Sequence, residues 1–186
     1  MAAELFSEFD ASACVPRVPF LDRYFTRAYA VDTKDRLDED TCVLQHSNKM
    51  CVICLAPSHP IVTSPCRKVL KVDYKISEST DRTANVVKGK RKRGAQWLNP
   101  LSPLCIITCD DGSQYTVYSC IRGSLLEVND QLTSCPDLVR TKTLMEGYIA
   151  VVAPKKAESD TVLAQLKTES EYVGHCKIRA HRVTKT

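Results

Sequence analysis

The sequence has 186 residues, of which 44% are hydrophobic, and a formal net charge of +4 at pH 7. This length fits one domain of about 130 to 150 residues with tails, which argues against a substrate cleft between two large domains. No stretch reaches the ~18 uninterrupted apolar residues of a spanning helix, and acidic residues 1–10 lack the basic start of an export signal. We therefore expect a soluble, intracellular protein with no membrane partner.

The first predicted element follows an N-terminal tail, residues 1–19, that we expect to be flexible. Leu21, Tyr24 and Phe25 have the i, i+3, i+4 spacing of one helix face. Such a stripe more often packs on a core than binds a ligand. We predict a short helix within residues 20–26 and a single domain over residues 20–174.

Three β-strands are predicted next, over residues 42–46, 50–55 and 69–76. In the third, apolar and charged residues alternate from Lys71 to Ile76, which gives the strand one buried face. Residues 77–87 are polar and are predicted to form a loop. This loop continues into a strongly basic segment that ends at residue 94.

The basic segment of loop 77–94 is the first candidate for partner binding. Five of the six residues from 88 to 93 are cationic: Lys88, Lys90, Arg91, Lys92 and Arg93. Such a block fits a nuclear import signal or a patch for nucleic acid or an acidic protein. The alternative is a solvated loop whose charge serves solubility, although blocks of like charge are often interaction segments. We predict these five residues as a partner-binding or import site on electrostatic grounds alone.

A β-hairpin is predicted from residue 104 to residue 119. Two β-rich runs flank Asp110-Asp111-Gly112-Ser113, in which Asp-Gly supplies the positive φ angles that a tight turn needs. The acidic tip should therefore be exposed. Further short strands are predicted around Leu126–Val128 and over residues 147–152. Together these strands indicate a small barrel or sandwich.

The C-terminal region is predicted to contain a helix and then a basic tail. Ser159 and Asp160 are typical helix caps, and apolar residues follow from Val162 to Val173. Residues 175–186 contain lysines and arginines but no acidic residue, which is typical of a mobile tail.

Ten cysteines would suggest a disulfide framework in a small secreted protein, but we expect free thiols in a reducing compartment. Cys51 and Cys54 form a C-x-x-C pair in a predicted strand, where residues three apart point to opposite faces. No second pair follows at zinc-ligand spacing. His46, at a predicted strand end, has no sequence neighbour that identifies a nucleophile. We therefore predict no metal, no cofactor and no catalytic residue.

The region from Tyr118 to Val152 is similar to the glycine cleavage H-protein family. The similarity rests on Tyr-Ser-x-x-x-Gly-x-x-x-Glu-Val-Asn at 118–129 and on Glu-Gly-Tyr-Ile at 146–149. It implies a mainly β fold with peripheral helices, an α+β barrel-sandwich of the lipoyl and biotin carrier type. In that family the lipoylated lysine lies eleven residues before the glycine that matches Gly123. Gly112 occupies this position, so the resemblance implies a scaffold without its carrier chemistry.

A second resemblance covers most of the chain. Four segments, residues 21–27, 44–53, 88–96 and 115–155, closely resemble a family of actin-binding transcription modulators. That resemblance implies a non-enzymatic protein that binds monomeric or filamentous actin and influences filament assembly in cell protrusions. It also implies a role in transcription regulation and residence in nuclear speckles as well as the cytoplasm. Two alternatives stay open: an RNA-associated nuclear factor that binds through the basic loop, and an accessory protein of lipoate metabolism.

Overall fold

The structure, a computed structural model, describes residues 19–64, 67–89 and 92–183. The predicted N-terminal tail therefore lies outside the described residues except for Pro19. Lys90 and Arg91 of the predicted partner-binding site lie outside them as well, as do residues 184–186. Among the described residues, no helix has both the length and the apolar character needed to cross a bilayer.

Within the described ranges, twelve short strands, five α-helices and one 3-10 turn (Thr33–Asp35) form the domain. The strands are β1 (Phe25–Ala30), β2 (Thr41–His46), β3 (Cys51–Leu55), β4 (Val69–Asp73), β5 (Lys75–Ser77), β6 (Thr80–Asp81), β7 (Trp97–Leu98), β8 (Pro103–Cys109), β9 (Gln114–Tyr118), β10 (Gly123–Val128), β11 (Ala150–Ala153) and β12 (Lys167–Thr168). The helices are α1 (Phe20–Tyr24), α2 (Pro60–Thr63), α3 (Gln131–Ser134), α4 (Leu138–Thr141) and α5 (Glu169–Val183).

The strands are arranged in three antiparallel sheets. The largest has the order β12-β1-β2-β3-β11-β10-β7, the second is β4-β8-β9, and β5 pairs with β6. Side chains from the two larger sheets meet in one hydrophobic cluster, to which β2 contributes Val43 and β8 contributes Ile107. This layered, mainly β architecture agrees with the sandwich predicted from the strand pattern.

The other face of the large sheet is covered by α5. A second cluster joins Cys42, Leu44 and Cys54 to Tyr172 of the helix. The rings of Tyr29 and Tyr172 stack with their centroids 3.9 Å apart. Because both faces of β2 are covered, its side chains are buried without the alternation of a half-exposed strand.

The C-terminal helix differs from the sequence prediction at both ends. Ser159 lies in a turn, where its hydroxyl donates to Lys156 O and its carbonyl accepts from Gln45 Nε2. The helix begins ten residues later, with a reciprocal capping box in which Glu171 N donates to Thr168 Oγ1 and Thr168 N donates to Glu171 Oε2. The prediction of a mobile tail was wrong for residues 175–183, because they belong to α5.

Two other predicted boundaries also shift. The predicted helix over residues 20–26 ends at Tyr24, because Phe25 begins β1 and pairs with His46 of β2. The last central strand begins at Ala150 rather than at residue 147. Gly147 belongs to the preceding turn, where its N–H donates to Lys142 O.

The eight described cysteines are free thiols. Cys51 and Cys54 lie in different hydrophobic clusters, on opposite faces of β3, as the period of a strand predicts. Their sulfurs therefore do not converge on a common ligand. Burial raises the pKa of Cys51 to about 12 and raises that of Cys54 as well.

This burial predicts selective alkylation of the native protein. Of the eight described cysteines, iodoacetamide at neutral pH should modify exposed Cys135 first, whereas Cys42, Cys51, Cys54 and Cys105 should react only after denaturation. Peptide mass spectrometry at a series of times would measure the order. Labelling of Cys51 as fast as that of Cys135 would contradict the burial of the β3 thiols.

Candidate functional site: a lysine groove beside a basic hairpin

Residues 88–93, which we call the basic hairpin, have a defined backbone conformation at their described positions. Lys88 N donates to Arg93 O at 2.9 Å, and Arg93 N donates to Lys88 O at 3.0 Å. Gly89 and Lys92 have positive φ angles, and Lys92 N donates to Gly89 O. The side chains of Lys88 and Arg93 are exposed at paired positions, so the turn concentrates the charge that the sequence places in this loop.

The base of the hairpin is fixed by buried polar contacts. Asn85 Nδ2 donates to Leu125 O at 2.9 Å, and Gln96 N donates to Asn85 Oδ1 at 2.8 Å. Arg82, predicted to lie in a polar loop, is buried and donates to Gln96 Oε1 and Pro103 O. The basic hairpin therefore projects from an anchored base.

A groove lies beside the hairpin, at one end of the large sheet. Its floor follows the strand pairing: Trp97 of β7 is opposite Ser124 of β10, which is opposite Ala153 of β11. On the other side, Val152 pairs with Cys51, which places Met50 at the same end of the sheet. The groove has a volume of about 780 Å³.

The walls of this lysine groove carry four ammonium groups from three separate segments. Lys49 comes from the β2–β3 turn, Lys92 from the basic hairpin, and Lys155 and Lys156 from the segment after β11. Among the described residues that line the groove, the one carboxylate, Asp160, already pairs with Lys49 at 2.6 Å. The groove therefore carries excess positive charge and should attract anionic groups.

The aromatic residue of the groove is half covered by one of the lysines. Trp97 is 42% exposed, and the Nζ atom of Lys155 lies 5.0 Å from the centroid of its ring. This distance fits a cation–π contact, which orients the ammonium while leaving the other part of the indole accessible. Its neighbour Leu98 is fully buried, whereas Trp97 contributes to the groove.

The cations of this region comprise three that the sequence predicted and three that it did not. Lys88, Lys92 and Arg93 lie on the basic hairpin, and of these Lys92 also lines the groove. Lys49, Lys155 and Lys156 were not predicted, because they are far from the hairpin in sequence and meet it only through sheet pairing. The dipeptide Lys155-Lys156 after Pro154 was the one local signal for them.

The tip of the β8–β9 hairpin is a separate surface. Gly112 has a φ angle of +80°, and apart from its two chain neighbours no described residue lies within 4 Å of the position of a Cβ atom there. Asp111 pairs with Arg67 at 2.9 Å, and Asp110 Oδ1 accepts from Lys68 N. The tip is exposed, as predicted, and part of its acidic charge is compensated by Arg67.

His46 has structural contacts at the end of β2. Its Nδ1 atom accepts from Asn48 N at 3.1 Å, and its ring packs edge-on against Phe25 with centroids 4.9 Å apart. These contacts stabilise the turn that presents Lys49 to the groove.

Comparisons with known proteins agree with both resemblances. The glycine cleavage H-protein family matches residues 112–177. This match and the mainly β structure confirm the predicted H-protein-like fold. A glycine cleavage system H protein from Mycobacterium marinum superposes with a TM-score of 0.47 and 13% identity, covering 69% of this chain and 80% of that one.

Curated relatives named Protein Abitram match most of the chain. The Homo sapiens protein is 49% identical over 164 residues, covering 88% of this chain and 90% of that protein. The Danio rerio protein is 51% identical over 152 residues, with coverages of 82% and 85%. The Dictyostelium discoideum protein is 37% identical over 137 residues, with coverages of 72% and 74%.

Proposed function

We propose, from the premise that this chain belongs to the Abitram family, that it is a non-enzymatic protein that binds actin. In this proposal it regulates actin assembly in cell protrusions and also acts in the nucleus, in transcription regulation. The actin, nuclear-speckle and protrusion assignments come from the resemblance to actin-binding transcription modulators that the sequence motifs carry.

One structural observation supports a binding function of this kind. The basic hairpin and the lysine groove adjoin through Lys92, which belongs to both, so that they form one cationic surface. Actin has an acidic surface, and complementary charge accelerates association and fixes orientation. We assign the actin interface to this surface, with Lys88, Lys92 and Arg93 at its rim. The same three cations, together with Lys90 and Arg91, are the proposed nuclear import signal.

The chemistry of the groove fits binding better than catalysis. Its lining consists of ammonium groups, an indole, a thioether, amide and hydroxyl groups and a paired carboxylate. Such groups hold an anionic partner by charge and shape. The exposed tip at Gly112 has no amine to which lipoate or biotin could be linked.

Charge reversal on the hairpin should weaken actin binding about tenfold, since the charge contacts of exposed Lys88 and Arg93 and half-buried Lys92 each contribute a fraction of 1 kcal/mol. The test is co-sedimentation with filamentous actin at about 0.15 M salt, with a parallel assay on monomeric actin. The variant carries Lys88→Glu, Lys92→Glu and Arg93→Glu.

The matched control changes the net charge equally at exposed lysines elsewhere: Lys75→Glu, Lys142→Glu and Lys177→Glu. Saturable binding of the wild type and the control, with loss in the hairpin variant, is the expected result. Equal binding by all three proteins would place the interface elsewhere. Absence of binding to either form of actin would contradict the proposed function.

RNA binding is the second candidate, favoured by the combination of lysines and an exposed indole. It ranks lower because Lys155 already covers one face of Trp97, and no other aromatic side chain among the described residues lines the groove. Retention of RNA at physiological salt, with weak sequence preference and strong salt dependence, would support this alternative.

A further inference from the structure

The described chain begins next to the lysine groove. Tyr24 O, at the end of α1, accepts a hydrogen bond from Ser47 N in the β2–β3 turn at 3.0 Å. Two positions later in that turn, Lys49 lines both the groove and a smaller cleft beside Asp22 and Tyr24. The first described residues, Pro19 and α1, therefore lie close to the rim of the groove.

The residues before this point have a composition that complements the groove. Residues 4–10, Glu-Leu-Phe-Ser-Glu-Phe-Asp, contain three carboxylates and three large apolar side chains in seven positions. Asp10 precedes Pro19 by nine positions, so an extended connection spans up to about 30 Å. That length is sufficient to bring the acidic segment from the start of α1 onto the adjacent groove.

The groove offers partners for both kinds of side chain. Its lysines can pair with carboxylates, and the accessible part of Trp97, with Met50 and Pro154, can contact phenylalanine rings. We propose that the lysine groove is a peptide-binding site and that residues 4–10 of the same chain occupy it. The occupant is favoured by its tether, since a linked segment has an effective concentration of about 1 mM even when its intrinsic affinity is weak.

The proposal does not rest on actin binding, and its test contains no actin. Failure of one proposal is therefore distinguishable from failure of the other.

Trp97 is the only tryptophan in the chain, so its fluorescence reports directly on the groove. The experiment measures acrylamide quenching in the full-length protein and in a full-length variant with Glu4→Lys, Glu8→Lys and Asp10→Lys. Release of the segment should raise the quenching constant about twofold, because charge reversal abolishes the tethered contact. Salt at about 0.5 M should have the same effect on the wild type, since it screens the pairs.

The control variant reverses three exposed acidic residues outside the segment: Glu78→Lys, Asp130→Lys and Glu146→Lys. Its quenching constant should equal that of the wild type. A second variant, Phe6→Ala with Phe9→Ala, should raise quenching without any change in charge. Equal quenching in the wild type and the Glu4, Glu8, Asp10 variant would overturn the proposal. A quenching constant that depends on protein concentration would assign the occupant to a second copy of the chain and would also overturn it.

Discussion

Replacement of Arg179 by leucine should lower the free energy of unfolding by about 3 kcal/mol, because it leaves the buried carboxylate of Asp40 without its cation. Arg179 of α5 donates from Nη2 to Asp40 Oδ2 at 2.7 Å and from Nη1 to Asp32 Oδ1 at 3.0 Å. Its Nε atom pairs with Asp38 at 2.6 Å. Asp40 is fully buried, so water cannot replace the lost partner. Urea denaturation followed by circular dichroism would measure the loss.

The control for this prediction is Lys177→Leu, an exposed cation on the same helix, which should change stability by less than about 0.5 kcal/mol. Asp40→Asn in the Arg179→Leu background should restore part of the loss, since it removes the unpaired charge. Equal stability of the Arg179→Leu and Lys177→Leu variants would contradict a stabilising role for the contacts of Arg179.

The same ion pair makes stability depend on pH. Burial raises the pKa of Asp40, but the hydrogen bonds from Arg179 and Ser58 lower it by more, so that its pKa lies below the usual value. The Asp40–Arg179 ion pair therefore contributes its full stabilisation at pH values above the usual pKa of a carboxyl group. This contribution is lost as the pH falls through the lowered pKa that Asp40 has in the folded protein.

The second large effect is expected at Gly147, where an alanine should destabilise the fold by about 3 kcal/mol, at the upper end of overpacking costs. A Cβ atom there would lie 2.8 Å from the Leu138 carbonyl carbon and 2.9 Å from Lys142 O. Both are backbone atoms of the α4 region and cannot move away without displacing that helix. Gly123 is constrained in the same way, because a Cβ atom there would clash with Ala153 O. Thus both glycines of the H-protein-like motif permit close approach of two backbone segments.

Gly174→Ala is the matched control. Gly174 lies inside α5, and apart from the helix's own backbone no described residue comes within 4 Å of its Cβ position. Alanine there should stabilise the protein by about 1 kcal/mol, because glycine is the poorer helix former. Urea midpoints of the two variants should therefore move in opposite directions. A native-like midpoint for Gly147→Ala would show that the turn before β11 has room for a side chain.

The β8–β9 hairpin shows which parts of the fold were predictable from local sequence. Asp-Gly at 111–112, flanked by β-rich runs, specified β8, β9 and the tip, because turn chemistry and strand propensity act over a few residues. The opposite faces of Cys51 and Cys54 followed equally from the period of a strand.

The C-terminal helix shows why other parts were missed. The sequence signal for its start, Thr168 with Glu171, was present but lies within a polar stretch that gave no apolar periodicity. Its extension to residue 183 depends on a contact with Asp40, 139 positions earlier in the chain. The lysine groove has the same origin, since Lys49, Lys92 and Lys155 meet only after the strands have paired. Contacts of such long range leave no local pattern.

The salt dependence of actin affinity most directly tests whether the cationic surface is the actin interface. If the cationic surface formed by the basic hairpin and the lysine groove binds actin, the affinity of the wild type should fall about tenfold between about 0.05 and 0.3 M salt. The variant with Lys88, Lys92 and Arg93 changed to glutamate should bind more weakly and show a flatter dependence. Actin affinity that is unchanged across this range, or a salt dependence identical in both proteins, would contradict binding through this surface.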